Sequence, residues 1–123
     1  MSAAQMASAA YKTNMAPIRT DRSIELDAFS NVTHRLSKFA DRRNFVAFVN
    51  ALHDNRRLWT LIAADVADSS NGLPGELRAR IFYLAEFTDR HTSRILAGDG
   101  DVAVLIDINT AIMRGLRQSG GVK

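Results

Sequence analysis

Residues 45–66 read FVAFVNALHDNRRLWTLIAADV, and their spacing decides the fold class. Phe45, Phe48, Val49, Leu52, Trp59, Ile62 and Val66 recur at intervals of three and four, with a polar step at Asn55. That interval returns side chains to one face of a helix, whereas a half-buried strand alternates every two residues. The polar break Asp41-Arg42-Arg43-Asn44 precedes the stretch, and Asn44 suits an N-cap. Asp68-Ser69-Ser70-Asn71-Gly72, a cluster of turn formers, ends it.

The same period extends outward in both directions. Upstream, Phe29, Val32, Leu36 and Phe39 predict a helix from about Ser23 to Ala40, with Asp21 or Ser23 as its cap. Downstream, Pro74 suits a first helical turn, and Leu77, Ile81, Leu84, Thr88, His91 and Ile95 form the stripe that follows. Gly98 is placed to stop that helix. Asp101 then predicts the cap of a last helix with the stripe Val102, Leu105, Asn109, Ile112 and Leu116. Short connections favour packing between sequence neighbours, so the expected fold is all-α: a small antiparallel bundle of about four helices over residues 21–118. Residues 1–20 are alanine-rich, weakly periodic and interrupted by Pro17, which predicts a flexible N-terminal arm. Residues 119–123 read as a frayed tail.

Composition narrows the function classes. The 123 residues include no cysteine, so a disulfide-stapled module and a cysteine metal cluster are both excluded. No apolar run exceeds five residues, and the first ten lack the basic start and dense apolar stretch of a signal peptide. A cytoplasmic location is the resulting expectation. The net charge is +3 and the pI about 9.8. The excess sits in residues 1–60, at +4 against −1 for the rest, and all but Lys12, Lys38 and Lys123 of the cations are arginine. Such a half suits nucleic acid or an acidic protein surface, and a small domain also carries this much charge for solubility alone.

The residues give no support for catalysis or metal binding. His34, His53 and His91 fall on three different predicted helices, without metal-ligand spacing. Gly98 and Gly100 lack the following Gly-Lys-Ser/Thr of a phosphate loop. The expectation is a protein that is not an enzyme and carries no metal or cofactor.

Polar residues inside the apolar stripes are more informative. Asn55, His91 and Asn109 interrupt three consecutive helices. Facing the core, each needs a hydrogen-bond partner, because an unpaired buried polar group costs about 1–3 kcal/mol. They fix helix register or form the polar floor of a groove for a partner helix. Arg56 and Arg57 stand close to Trp59, and arginine and tryptophan are the residue types that dominate protein interfaces. The plainer alternative is a core tryptophan beside a solvated basic face, which Arg42 and Arg43 would extend.

Asn55-Arg56-Arg57-Leu58-Trp59, Leu73-Pro74-x-x-Leu77, Arg90-His91-Thr92, Leu105-Ile106-x-Ile108-Asn109-x-x-Ile112 and Gly115-Leu116 occur in that order. Together they resemble the FlaF family of bacterial flagellar biosynthesis regulators, from about Phe29 to Leu116. Ala10-Tyr11 and Pro17-x-Arg19 are similar to the family's N-terminal pattern, with a longer spacing to Glu25. The resemblance implies an all-helical cytoplasmic protein that acts positively on flagellin synthesis and export and opposes the partner regulator FlbT. It also implies flagellin binding in the manner of a secretion chaperone. The residues assigned to partner binding are Asn55, Arg56, Arg57 and Trp59, then Arg90, His91 and Thr92, and finally Asn109. The alternative is post-transcriptional action on flagellin messenger RNA, directly or through FlbT, motivated by the arginine-rich first half.

Overall fold

The computed structural model describes residues 21–121, and their side chains from 26 to 115. The arm expected over residues 1–20 lies outside these. Among the described residues four helices follow one another: α1 (Asp21–Lys38), α2 (Phe45–Ala67), α3 (Gly75–Leu96) and α4 (Val102–Gly121). There is no strand among the described residues. The architecture is the all-α bundle that the periodicity predicts. α4 runs on to Gly121, through the stretch where the sequence reading places the tail.

Local chemistry sets the helix ends. The Asn44 side chain accepts a hydrogen bond from the Ala47 N–H (3.1 Å), as an N-cap does. Pro74 is the N-cap residue of α3 rather than part of its first turn, and its carbonyl accepts the Arg78 N–H at 3.0 Å. Gly98 ends α3 with φ +89°, a left-handed conformation that costs a residue with a Cβ about 1–2 kcal/mol. The Gly98 and Asp99 N–H groups then bond back to the carbonyls of Ile95 and Arg94, closing the open end of the helix. The Asp101 side chain accepts from the Ala103 N–H (2.9 Å) and starts α4.

α3 rests chiefly on α2 and α4 chiefly on α1, with α1 and α2 joined more lightly. Neither α1 with α3 nor α2 with α4 approach closely along their backbones. The order around the bundle is therefore α1, α2, α3, α4, and the α3/α4 side is the loosest.

The core has two apolar layers. Leu36, Phe48, Ala51, Leu52, Ile95, Val102 and Leu105 form one; Phe29, Leu58, Trp59, Ala85 and Met113 form the other. Between them, in the register of each helix, lie buried polar residues: Thr33 on α1, Asn55 on α2, Thr88 and Thr92 on α3, Asn109 on α4. Two stripe positions escape the core. Phe45 is 60% exposed because it is the first residue of α2, and its ring reaches only to Phe48. Leu77 is 41% exposed in the first turn of α3, at the end of the bundle where few elements cover it.

Candidate partner-binding surface

The residues assigned to partner binding separate into three groups. Asn55, Trp59 and Asn109 meet in the interior. Trp59, 1% exposed, donates its indole N–H to Asn109 Oδ1 (2.9 Å), and Asn109 Nδ2 donates to Asn55 Oδ1 (2.8 Å). Phe29 meets the indole edge-on, with ring centroids 5.5 Å apart. Trp59 therefore offers its area to the core and not to the surface.

Arg56, His91 and Thr92 bind within the fold. Arg56 pairs with Asp89 through Nε (2.9 Å) and donates from Nη2 to the Asp89 carbonyl (2.8 Å) and to Ser93 Oγ, tying α2 to α3. The His91 ring stacks on Phe87 at 5.6 Å and donates from Nε2 to the Asp101 carbonyl at 2.8 Å. It thereby holds the α3–α4 corner. Thr92 Oγ1 donates to the Thr88 carbonyl one turn earlier, at 2.7 Å.

Arg57 and Arg90 are exposed and pair with no described residue. One residue past Arg56, Arg57 is turned a further 100° around α2, away from the buried face. Arg42 and Arg43 do not join it in one basic surface. They precede α2, on which Phe45 and Arg57 are separated by about 18 Å at 1.5 Å per residue. The Arg42 guanidinium lies over the Phe48 ring, 4.8 Å from its centroid, and reaches the Gly100 carbonyl at 3.5 Å.

Of the residues assigned to partner binding, Arg90 lies on the loosest side of the bundle, between α3 and α4. Asp89, Ser93 and Arg78 mark the flank of α3 turned toward α2, since Arg78 donates to the Val66 and Asp68 carbonyls at 2.8 Å. The opposite flank carries Arg80, Tyr83, Phe87, Arg90 and Arg94 at spacings of three and four. On α4, Ile106 packs with the cluster that holds Phe39, which leaves Ile108 and Ile112 on the flank toward α3. Leu84, Ile108 and Ile112 are half-buried against the Trp59 layer, and Tyr83 is 60% exposed. An open depression of about 480 Å³ lies along this flank of α3, lined by Glu76, Ala79, Arg80, Tyr83 and Leu84. This edge can accept the apolar face of another helix.

A family model described as Flagellar protein FlaF matches residues 7–116. The chain belongs to the FlaF family. No curated protein and no solved structure matches it. Of the motif residues, Asn55 and Asn109 lie in the polar layer, Trp59 in the apolar layer hydrogen-bonded to it, and Arg90-His91-Thr92 brackets the α3–α4 corner. Beyond Arg90, the open edge was legible as the secondary stripe 80, 83, 87, 90, 94, in which arginines flank the aromatic pair Tyr83 and Phe87 apart from the main apolar stripe. Among the described residues, no helix is long and apolar enough to cross a membrane, and no three or more His, Asp and Glu side chains are grouped as a metal site.

Proposed function

We propose that this FlaF-family chain is a non-enzymatic positive factor for flagellin synthesis and export that binds flagellin as a secretion chaperone in the cytoplasm. The observation that carries the reading is the α3/α4 edge, where Tyr83, Leu84, Ile108 and Ile112 keep apolar surface accessible beside the packed Trp59 layer. Flagellin's terminal segments are amphipathic-helix sequences that stay unfolded or exposed before assembly, and such a segment is held by laying its apolar face into a groove of this kind. Ordering of the segment on binding then lowers the affinity and keeps release for export accessible.

The arginines favour a protein partner over messenger RNA. Arg35 pairs with Asp54 and Arg56 with Asp89, while Arg78 donates to the Val66 and Asp68 carbonyls. Guanidinium groups engaged in this way are less available for the phosphate contacts that drive RNA affinity. Whether FlbT joins the complex is a separate question, answered by adding it to the same assay.

The test is co-purification of the intact chain with cognate flagellin at micromolar concentration, repeated with Tyr83→Asp and with Arg57→Glu. The reading expects capture by the wild type and by Arg57→Glu, and loss with Tyr83→Asp. Absence of a complex with the wild-type chain would sink it.

A further inference from the structure

Resting on the reading that the α3/α4 edge takes a partner helix, we infer the chemistry of its occupant: an amphipathic helix with acidic residues along the flank that faces α3. The two walls of the edge differ in charge. The α4 wall presents Ile108 and Ile112. The α3 wall presents Tyr83 and Phe87 between Arg80 on one side and Arg90 and Arg94 on the other, three cations against the single carboxylate of Glu76 at its outer end.

These cations are available. Arg90 is exposed and pairs with no described residue. Arg80 pairs with Glu76 at 2.8 Å and Arg94 with Asp99 at 3.5 Å, but both pairs are solvent-exposed, and such pairs exchange partners at little cost. Glu86, one turn before Arg90, lies further toward solvent on α3, outside the aromatic stripe. A carboxylate from the occupant reaching Arg90 would sit beside the Phe87 and Tyr83 rings, where the partner's apolar face excludes water and strengthens the pair. Arg80 to Arg94 spans about 21 Å at 1.5 Å per residue, so the occupant covers about four turns, with acidic residues near both ends of that length.

The experiment uses the intact chain and two synthetic peptides of about 18 residues, long enough for those turns. Both carry leucine and isoleucine at helical spacing; one has glutamate on a single flank, the other lysine there. Fluorescence anisotropy at low and high salt should show the glutamate peptide binding at least about tenfold tighter, with the preference shrinking as salt rises. Arg90→Glu should abolish or reverse the preference, and Tyr83→Asp should weaken both peptides; circular dichroism checks that each variant folds. Equal binding of the two peptides, a preference unmoved by Arg90→Glu, or no binding of either would overturn the assignment. So would a wild-type chain that sediments as a dimer through Tyr83, since a second copy would then own the edge. The two readings fail separately. Flagellin capture untouched by Arg90→Glu would remove the acidic-flank assignment alone. A peptide preference without any flagellin complex would remove the flagellin reading alone.

Discussion

Asn109 on α4 donates a 2.8 Å hydrogen bond to Asn55 on α2, joining two helices whose backbones do not approach one another. The same Asn109 side chain accepts from Trp59, so one amide satisfies two groups of α2. Asn109→Leu should therefore strand both the indole N–H and the Asn55 oxygen, at a cost of about 2–5 kcal/mol. Urea unfolding followed by the emission of Trp59, the sole tryptophan, measures it directly. An Asn55/Asn109 double-mutant cycle should give a coupling of about 1 kcal/mol or more.

Thr88 carries the opposite expectation. Its hydroxyl is fully buried and has no hydrogen-bond partner, while its methyl group packs in the core. Thr88→Val keeps the shape and removes the unpaired oxygen. The variant should be as stable as the wild type or more stable, by up to about 1–3 kcal/mol. A lower melting temperature would show that the hydroxyl is paired in solution.

Adjacent arginines on α2 should respond differently to charge reversal. Arg56→Glu breaks the tie to Asp89 and Ser93 and sets two carboxylates together, for a loss of about 1–3 kcal/mol. Arg57→Glu, on the outward face, should change stability by no more than about 0.5 kcal/mol. Thermal melts of the two variants separate the cases. Arg57→Glu therefore serves as the charge-reversal control that leaves both the fold and the α3/α4 edge intact.

The α3–α4 corner depends on two glycines for different reasons. Gly98→Ala finds open space for its methyl group but must hold φ +89°, a strain of about 1–2 kcal/mol. Gly100→Ala keeps an ordinary backbone but places its Cβ 2.9 Å from Ile95 Cγ1 and 3.0 Å from the Ile95 backbone nitrogen. The corner must then shift, and the His91 bond to Asp101 is its nearest neighbour. Amide exchange at the start of α4 should rise more with Gly100→Ala than with Gly98→Ala.

Asp68 makes the α2–α3 turn sensitive to acid. The Ser70 backbone N–H and then the Ser70 hydroxyl bond its carboxylate and hold its pKa below the ordinary 3.8, against a small opposing effect of desolvation. A folded pKa below the unfolded value contributes stability that is present above the unfolded pKa and lost as pH falls through the folded one. Asp68→Asn should therefore unfold at lower urea than the wild type near pH 7. The gap should narrow as the pH falls from neutral through and below the ordinary 3.8, and unfolding curves across that range check it.

The legible part of the molecule was what local chemistry dictates. Period-3.6 spacing in residues 45–66 placed α2, and Asn44, Gly98 and Asp101 marked helix ends because their side chains or φ preferences act within a few residues. Phe45 and Leu77 misled the stripe because periodicity assigns a face but not how far the cover extends along it. The candidate surface was less legible. Arg56 reads like any exposed arginine until α3 brings Asp89 beneath it, 33 residues later in the chain.

By itself the sequence determined that this chain is an all-α protein of the FlaF type, because helix period, capping and motif order are all properties of short segments. The tertiary structure alone decided the roles of the motif residues. Packing across 50 residues paired Trp59 with Asn109 and removed the tryptophan from the surface. The loose approach of α3 to α4 left the open edge beside Tyr83, since which helix sides stay uncovered depends on how all four are arranged.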